Sequence, residues 1–150
     1  MNTVTYSNET VINFLNNDVV AIQIQFDFKP LATRYNLQWT PTIIVLDSKG
    51  KEYSRTVGYI SPEEFIPTIL LGIGKAFMEQ EKYNNAINTF KKLIDNYPKS
   101  KATPEAIYYY GVCGYKNTHN PSHLKTSYEL LKNNFPDNEW TLRAEPYQLL

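Results

Sequence analysis

Residues 35–59 read YNLQWTPTIIVLDSKGKEYSRTVGY, and this stretch decides the fold of the first half of the chain. Within it Thr42–Asp47 (TIIVLD) is a β-branched, nearly all-apolar run, suited to a strand covered on both faces. DSKGK supplies turn chemistry through Asp47 and Gly50, and EYSRTVGYI returns as the partner strand. A β-hairpin is therefore predicted, entered through Trp39-Thr40-Pro41-Thr42.

Upstream, SNETVINFLNND places Val11, Ile12, Phe14 and Leu15 on one helical side, with Ser7 or Asn8 as N-cap. VVAIQIQFD, Val19 to Asp27, alternates through Val20, Ile22, Ile24 and Phe26, which predicts a strand. KPLATRYNL predicts a short helix with Pro30 in its first turn. Downstream the period becomes helical. In SPEEF, Ser61 caps, Pro62 takes the first helical position and Glu64 completes a capping box. Phe65, Ile69, Leu70, Ile73 and Phe77 form one stripe, with Pro67 as a point of bending. Tyr83, Ala86, Ile87, Phe90, Leu93, Ile94 and Tyr97 form a second, stopped by Pro98. Thr103 with Pro104, and Asn120 with Pro121, open two more helices, so four helices in two hairpins are expected.

FKKLIDNYPKS and YELLKNNFPDN repeat one another: Phe90 with Tyr128, Leu93 with Leu131 and Pro98 with Pro136 are each 38 positions apart. Paired helices at such a period mark a helical repeat, in which each unit needs its neighbour to cover an apolar face. GKAFMEQEKYNNAINTFKKLIDNYP resembles a tetratricopeptide repeat, with Gly74, Phe77, Ala86, Phe90 and Pro98 at the matching positions. The second copy is degenerate: Gly111 takes the small position, but Leu124 replaces alanine.

The WTPT sequence, the apolar strand, the turn and RTVGY together resemble the distal half of a thioredoxin-like domain. That resemblance implies that Pro41 is cis and that the backbone of Thr40 pairs with an extended substrate segment. It also implies a Cys-x-x-Cys at a helix N-terminus, which the chain does not contain: its one cysteine is Cys113. The strand that in the family lies between those matching Val19–Asp27 and Thr42–Asp47 has no counterpart either. Direct pairing of the remaining strands, a strand from another chain, or sequence upstream of Met1 would fill that slot. The second and third are expected, because unpaired edge amides inside a sheet are costly.

Composition narrows the function classes. Apolar residues make up 42% and aromatics 14%, enough for a core, and Lys plus Arg equals Asp plus Glu at 15 each. Balanced charge argues against nucleic acid and anionic membrane as partners. No apolar run approaches the roughly 20 residues that cross a bilayer, and the N-terminus lacks a secretory pattern, so a cytoplasmic location is expected. Cys113, flanked by glycines, reads as a buried structural thiol. His119 and His123 have metal-like spacing, but Pro121 between them favours exposed turn and helix positions. Tyr108, Tyr109, Tyr110 and Tyr115 either fill core or line a groove. Trp39 and Tyr59 either flank Pro41 on a platform or pack between sheet and helix. Asp27 reads as a strand-end turn residue, and Gly72 and Gly74 as sites of helix contact.

The expected architecture is α/β: a truncated thioredoxin-like unit over residues 1–66, followed by tetratricopeptide-like hairpins over 67–150, with the helix from Ser61 belonging to both. The expected function is a non-catalytic module binding a protein or peptide partner, or self-associating, through Trp39, Thr40, Pro41 and Tyr59. No catalytic residue, metal or cofactor is expected. The alternative is a fragment of a thiol–disulfide oxidoreductase whose cysteine pair lies upstream.

Overall fold

The computed structural model describes residues 1–150. Helix α1 (Glu9–Asn17) is capped by Asn8, whose side-chain oxygen accepts the N–H groups of Thr10 at 3.0 Å and Val11 at 3.2 Å. Two of the unpaired donors of the first turn are thereby satisfied. Helix α2 (Lys29–Arg34) carries Pro30 in its first turn. Strands β1 (Thr42–Leu46) and β2 (Glu52–Val57) form a two-stranded antiparallel sheet with Thr42 opposite Val57. Asp47 builds the turn: its Oδ1 accepts the N–H groups of Lys49 and Lys51, both at 2.9 Å. The Lys51 N–H chiefly holds this carboxyl below the usual range.

The predicted strand Val19–Asp27 does not form. The segment has no regular secondary structure and joins no sheet, and Asp27 lies in the turn closed by the Phe28 N–H on the Gln25 carbonyl at 3.1 Å. Alternation prepares a segment to be a strand, but the ladder and the covered face must come from neighbours. The sheet here offers β1 and β2 only.

Helix α3 (Pro62–Glu79) holds the two halves of the chain together. A Cβ on Gly72 would stand 2.8 Å from Val45 Cγ2, and one on Gly74 would clash with the edge of the Phe90 ring. Two residues correspond to about 200° around a helix. The hairpin therefore lies against one side of α3, and helix α4 (Tyr83–Asn96) against the other. Pro67 is accommodated, buried, without breaking the helix. The capping box does not form. Ser61 makes no side-chain cap bond, and Glu64 instead accepts the Ser100 hydroxyl at 2.7 Å and the Lys101 N–H at 3.2 Å. Glu64 thus ties the start of α3 to the loop after α4.

Helices α5 (Thr103–Thr118), α6 (Ser122–Asn134) and α7 (Glu139–Ala144) follow, then a 3₁₀ turn at Glu145–Leu149. Thr103 is the first residue of α5 and not its cap. It is buried, and its hydroxyl donates to the Tyr97 carbonyl at 2.5 Å. Thr141 repeats this contact on Phe135 at 2.6 Å, 38 positions later. The Leu93 and Leu131 carbonyls likewise accept the N–H groups of Tyr97 and Phe135. The echo read from Phe90 and Tyr128 therefore continues into α7, which sequence reasoning did not assign.

The main core joins Val11 and Phe14 of α1 to Phe65, Ile66, Ile69 and Leu70 of α3 and to Ala86, Phe90 and Leu93 of α4. Thr5 anchors the N-terminal turn to it, fully buried and donating to the Ile60 carbonyl at 2.6 Å. Thr5→Val keeps the shape and orphans that carbonyl. Chemical denaturation should show a loss of about 1–3 kcal/mol.

Candidate functional site

The Thr40–Pro41 peptide bond is cis. The Pro41 carbonyl accepts the Gly58 N–H at 2.8 Å, continuing the register of β1 and β2, and the Thr42 hydroxyl donates to the Trp39 carbonyl at 2.6 Å. The Thr40 N–H and C=O make no hydrogen bond within the chain. Trp39 is 73% exposed and Tyr59 61% exposed, so neither packs between sheet and helix. Trp39, Thr40 and Pro41 lead into β1 and Tyr59 follows Gly58 at the end of β2, so the four stand at one end of the hairpin, with both rings exposed and the Thr40 backbone unpaired.

A second surface lies where the C-terminal end of α3 meets α5, α7 and the 3₁₀ turn. It is an aromatic cleft of about 530 Å³, lined chiefly by Tyr83, Tyr108, Tyr109, Trp140, Arg143 and Tyr147. Tyr108 is its centre, with ring centroids 5.2 Å from Trp140, 5.4 Å from Tyr109 and 5.8 Å from Tyr147. The Tyr147 hydroxyl donates to that of Tyr108 at 3.0 Å. Arg143 places its guanidinium 4.6 Å from the Trp140 ring centroid, within cation–π range. Lys75, paired with Glu105 at 2.9 Å, lies 5.7 Å from the Tyr109 ring. Burial raises the Tyr109 phenol above its ordinary range, and burial followed by the Tyr108 contact raises that of Tyr147. Both stay neutral near pH 7, so the cleft combines aromatic faces and hydroxyl donors with charges of both signs, Arg143 and Lys116 beside Glu79 and Glu81.

Of the four tyrosines singled out in the sequence, Tyr108 and Tyr109 line this cleft. Tyr110 packs on the main core, and Tyr115 stands by His119. Successive helical positions point in different directions, which is why they part. Trp140, Arg143 and Tyr147 were missed. The signal that would have found them is the 38-residue echo followed past Pro136, where Thr141 and Ala144 answer Thr103 and Ala106.

Cys113 is fully buried, and burial pushes its thiol up to about 12. His119 adopts a left-handed conformation that ends α5, whereas His123 sits in the first turn of α6 against Gly114. No helix is long and apolar enough to cross a membrane.

The family model of a thioredoxin-like domain matches residues 3–71, and that of a tetratricopeptide repeat matches residues 69–100. The two spans overlap inside α3, the helix that carries the hairpin on one side and α4 on the other. No curated protein and no solved structure matches the chain. Residues 3–71 are a thioredoxin-like domain, and it is followed by a tetratricopeptide repeat over residues 69–100.

Proposed function

We propose that this chain is a non-catalytic protein-interaction module whose aromatic cleft binds an extended peptide segment of a cytoplasmic partner. The observation that carries the reading is the convergence of Tyr108, Tyr109, Trp140 and Tyr147 on one cleft with Arg143 at its edge. Rigid aromatic rings supply contact area at low entropic cost, and aromatic and arginine side chains dominate binding energy at protein interfaces. Balanced charge favours a polypeptide over nucleic acid. The exposed rings of Trp39 and Tyr59 beside the unpaired Thr40 backbone support a second peptide surface, bound by strand-like pairing.

Selection from a random peptide library, followed by NMR titration of a selected peptide, tests this. Shifts are expected at Tyr108, Trp140 and Tyr147. Arg143→Glu combined with Tyr147→Ala should weaken binding at least about 10-fold, with circular dichroism unchanged. Loss of binding on Trp39→Ala in place of that double change would move the site to the hairpin end at Thr40. Failure to select any peptide that senses either surface would overturn the reading.

A further inference from the structure

The exposed segment after α1 and the open edge of β1 match one another. From Val19 to Ile24 no backbone N–H or C=O makes a hydrogen bond within the chain. Its alternating apolar side chains face water, with Val20 92% and Ile22 78% exposed and Ile24, Phe26 and Phe28 also exposed. Such a row is a template for pairing and is seldom left bare in a folded protein.

The acceptor is on the hairpin. Pro41 bonds towards β2 through the Gly58 N–H. In an antiparallel ladder the bonded pairs alternate, so Ile43 and Val45 also face β2. Thr42 and Ile44 then turn their N–H and C=O groups to the open edge. Charge distinguishes the two edges of the sheet. β2 carries Glu52 and Arg55, paired at 2.7 Å, a common protection of an exposed edge. β1 carries no charged residue, and neither does Val19–Phe26.

We propose that two copies of this chain exchange strands, the segment Val20–Ile24 of each pairing with the open β1 edge of the other. One copy holds one donor and one acceptor, so reciprocal exchange satisfies both, whereas a foreign strand satisfies only the acceptor. Val20, Ile22 and Ile24 of the segment, with Phe26 and Phe28 in the turn that follows it, offer on the order of 500 Å² of exposed apolar surface per copy. Two donors and two covered edges then reach the roughly 1,200–2,000 Å² typical of stable complexes. This deepens the reading as an interaction module by naming a second copy as the occupant of one surface.

Sedimentation equilibrium of the full chain at micromolar concentration should give twice its 17.4 kDa mass. Ile22→Asp with Ile24→Asp should return it to once that mass, raising the dissociation constant at least about 100-fold, because the two carboxylates would be desolvated without partners. Both side chains lie outside the core, so helical circular dichroism should not change. The open β1 edge of that variant should still bind one synthetic peptide of residues 19–28. A monomeric parent chain, or a dimer that survives the double substitution, would overturn the proposal. The Arg143→Glu variant should dimerise as the parent does, so a failure of the cleft reading leaves this result standing.

Discussion

Phe90→Ala is expected to cost about 3–5 kcal/mol, a large part of the 5–15 kcal/mol that holds a typical domain. The ring is fully buried in the main core, stacked on Tyr109 at 6.1 Å, and seated against Gly74 on the facing helix. Gly74 is there because the ring is: an added Cβ would meet three of its carbons. A flexible side chain could swing aside, but a ring with no exposed surface has no free direction. Gly74→Ala should therefore cost about 1–3 kcal/mol by overpacking, partly offset by a gain of about 1 kcal/mol in helix propensity. The diagnostic is the pair. Gly74→Ala with Phe90→Leu should lose less than the sum of the single changes, since the smaller side chain makes room for the new methyl. Additive losses in urea unfolding would show that α3 and α4 do not meet at this contact. Because α3 also carries the hairpin at Gly72, the loss should appear in both halves of the chain in one transition.

Cys113 should react with a thiol reagent at neutral pH about 1,000-fold more slowly than an ordinary cysteine, before any steric protection is counted. Burial moves its thiol from 9.0 to about 12, and each unit removes a factor of ten in thiolate. Alkylation should follow global unfolding, and an insulin-reduction assay should show no turnover, since a dithiol cycle needs a second thiol that this chain lacks. Rapid modification of the native protein would overturn this assignment. The same shift has a consequence for stability. Below pH 9 both folded and unfolded chains keep the proton, and the contribution is complete. Between 9 and 12 the unfolded chain gives up its proton while the folded chain holds it, so stability falls as pH rises, by up to about 1.4 kcal/mol per unit. Burial raises the Tyr6 and Tyr109 phenols in the same direction. Thermal melts should show a declining Tm above pH 9, and a flat profile would contradict the burial of these groups.

The helices were the most legible part of the fold, because a 3.6-residue stripe, a cap and a terminal proline are local features. Asn8 caps α1 as its side-chain chemistry suggests, and the stripe Ala86, Phe90, Leu93 is the buried face of α4. The capping box failed for a non-local reason: Ser100 and Lys101, brought back by the α4 turn, compete for the Glu64 carboxylate. For the candidate sites, the sequence located Trp39, Thr40, Pro41 and Tyr59 together because they belong to one hairpin entrance. It found only half of the aromatic cleft, since Tyr108 meets Trp140 and Tyr147 across helices far apart in the chain.

By itself the sequence determined the thioredoxin-like hairpin, the helical period and its 38-residue echo, and the lack of a second thiol. All of these depend on residues near one another in the chain or on simple counts. Tertiary structure alone decided that Val19–Asp27 is not a strand, that α3 is shared between hairpin and repeat, and that the tyrosines of α5 divide between core and cleft. The physical reason is common to the three. A ladder, a buried face and a cleft each need a second surface, and a local pattern can prepare one side of a contact without supplying the other.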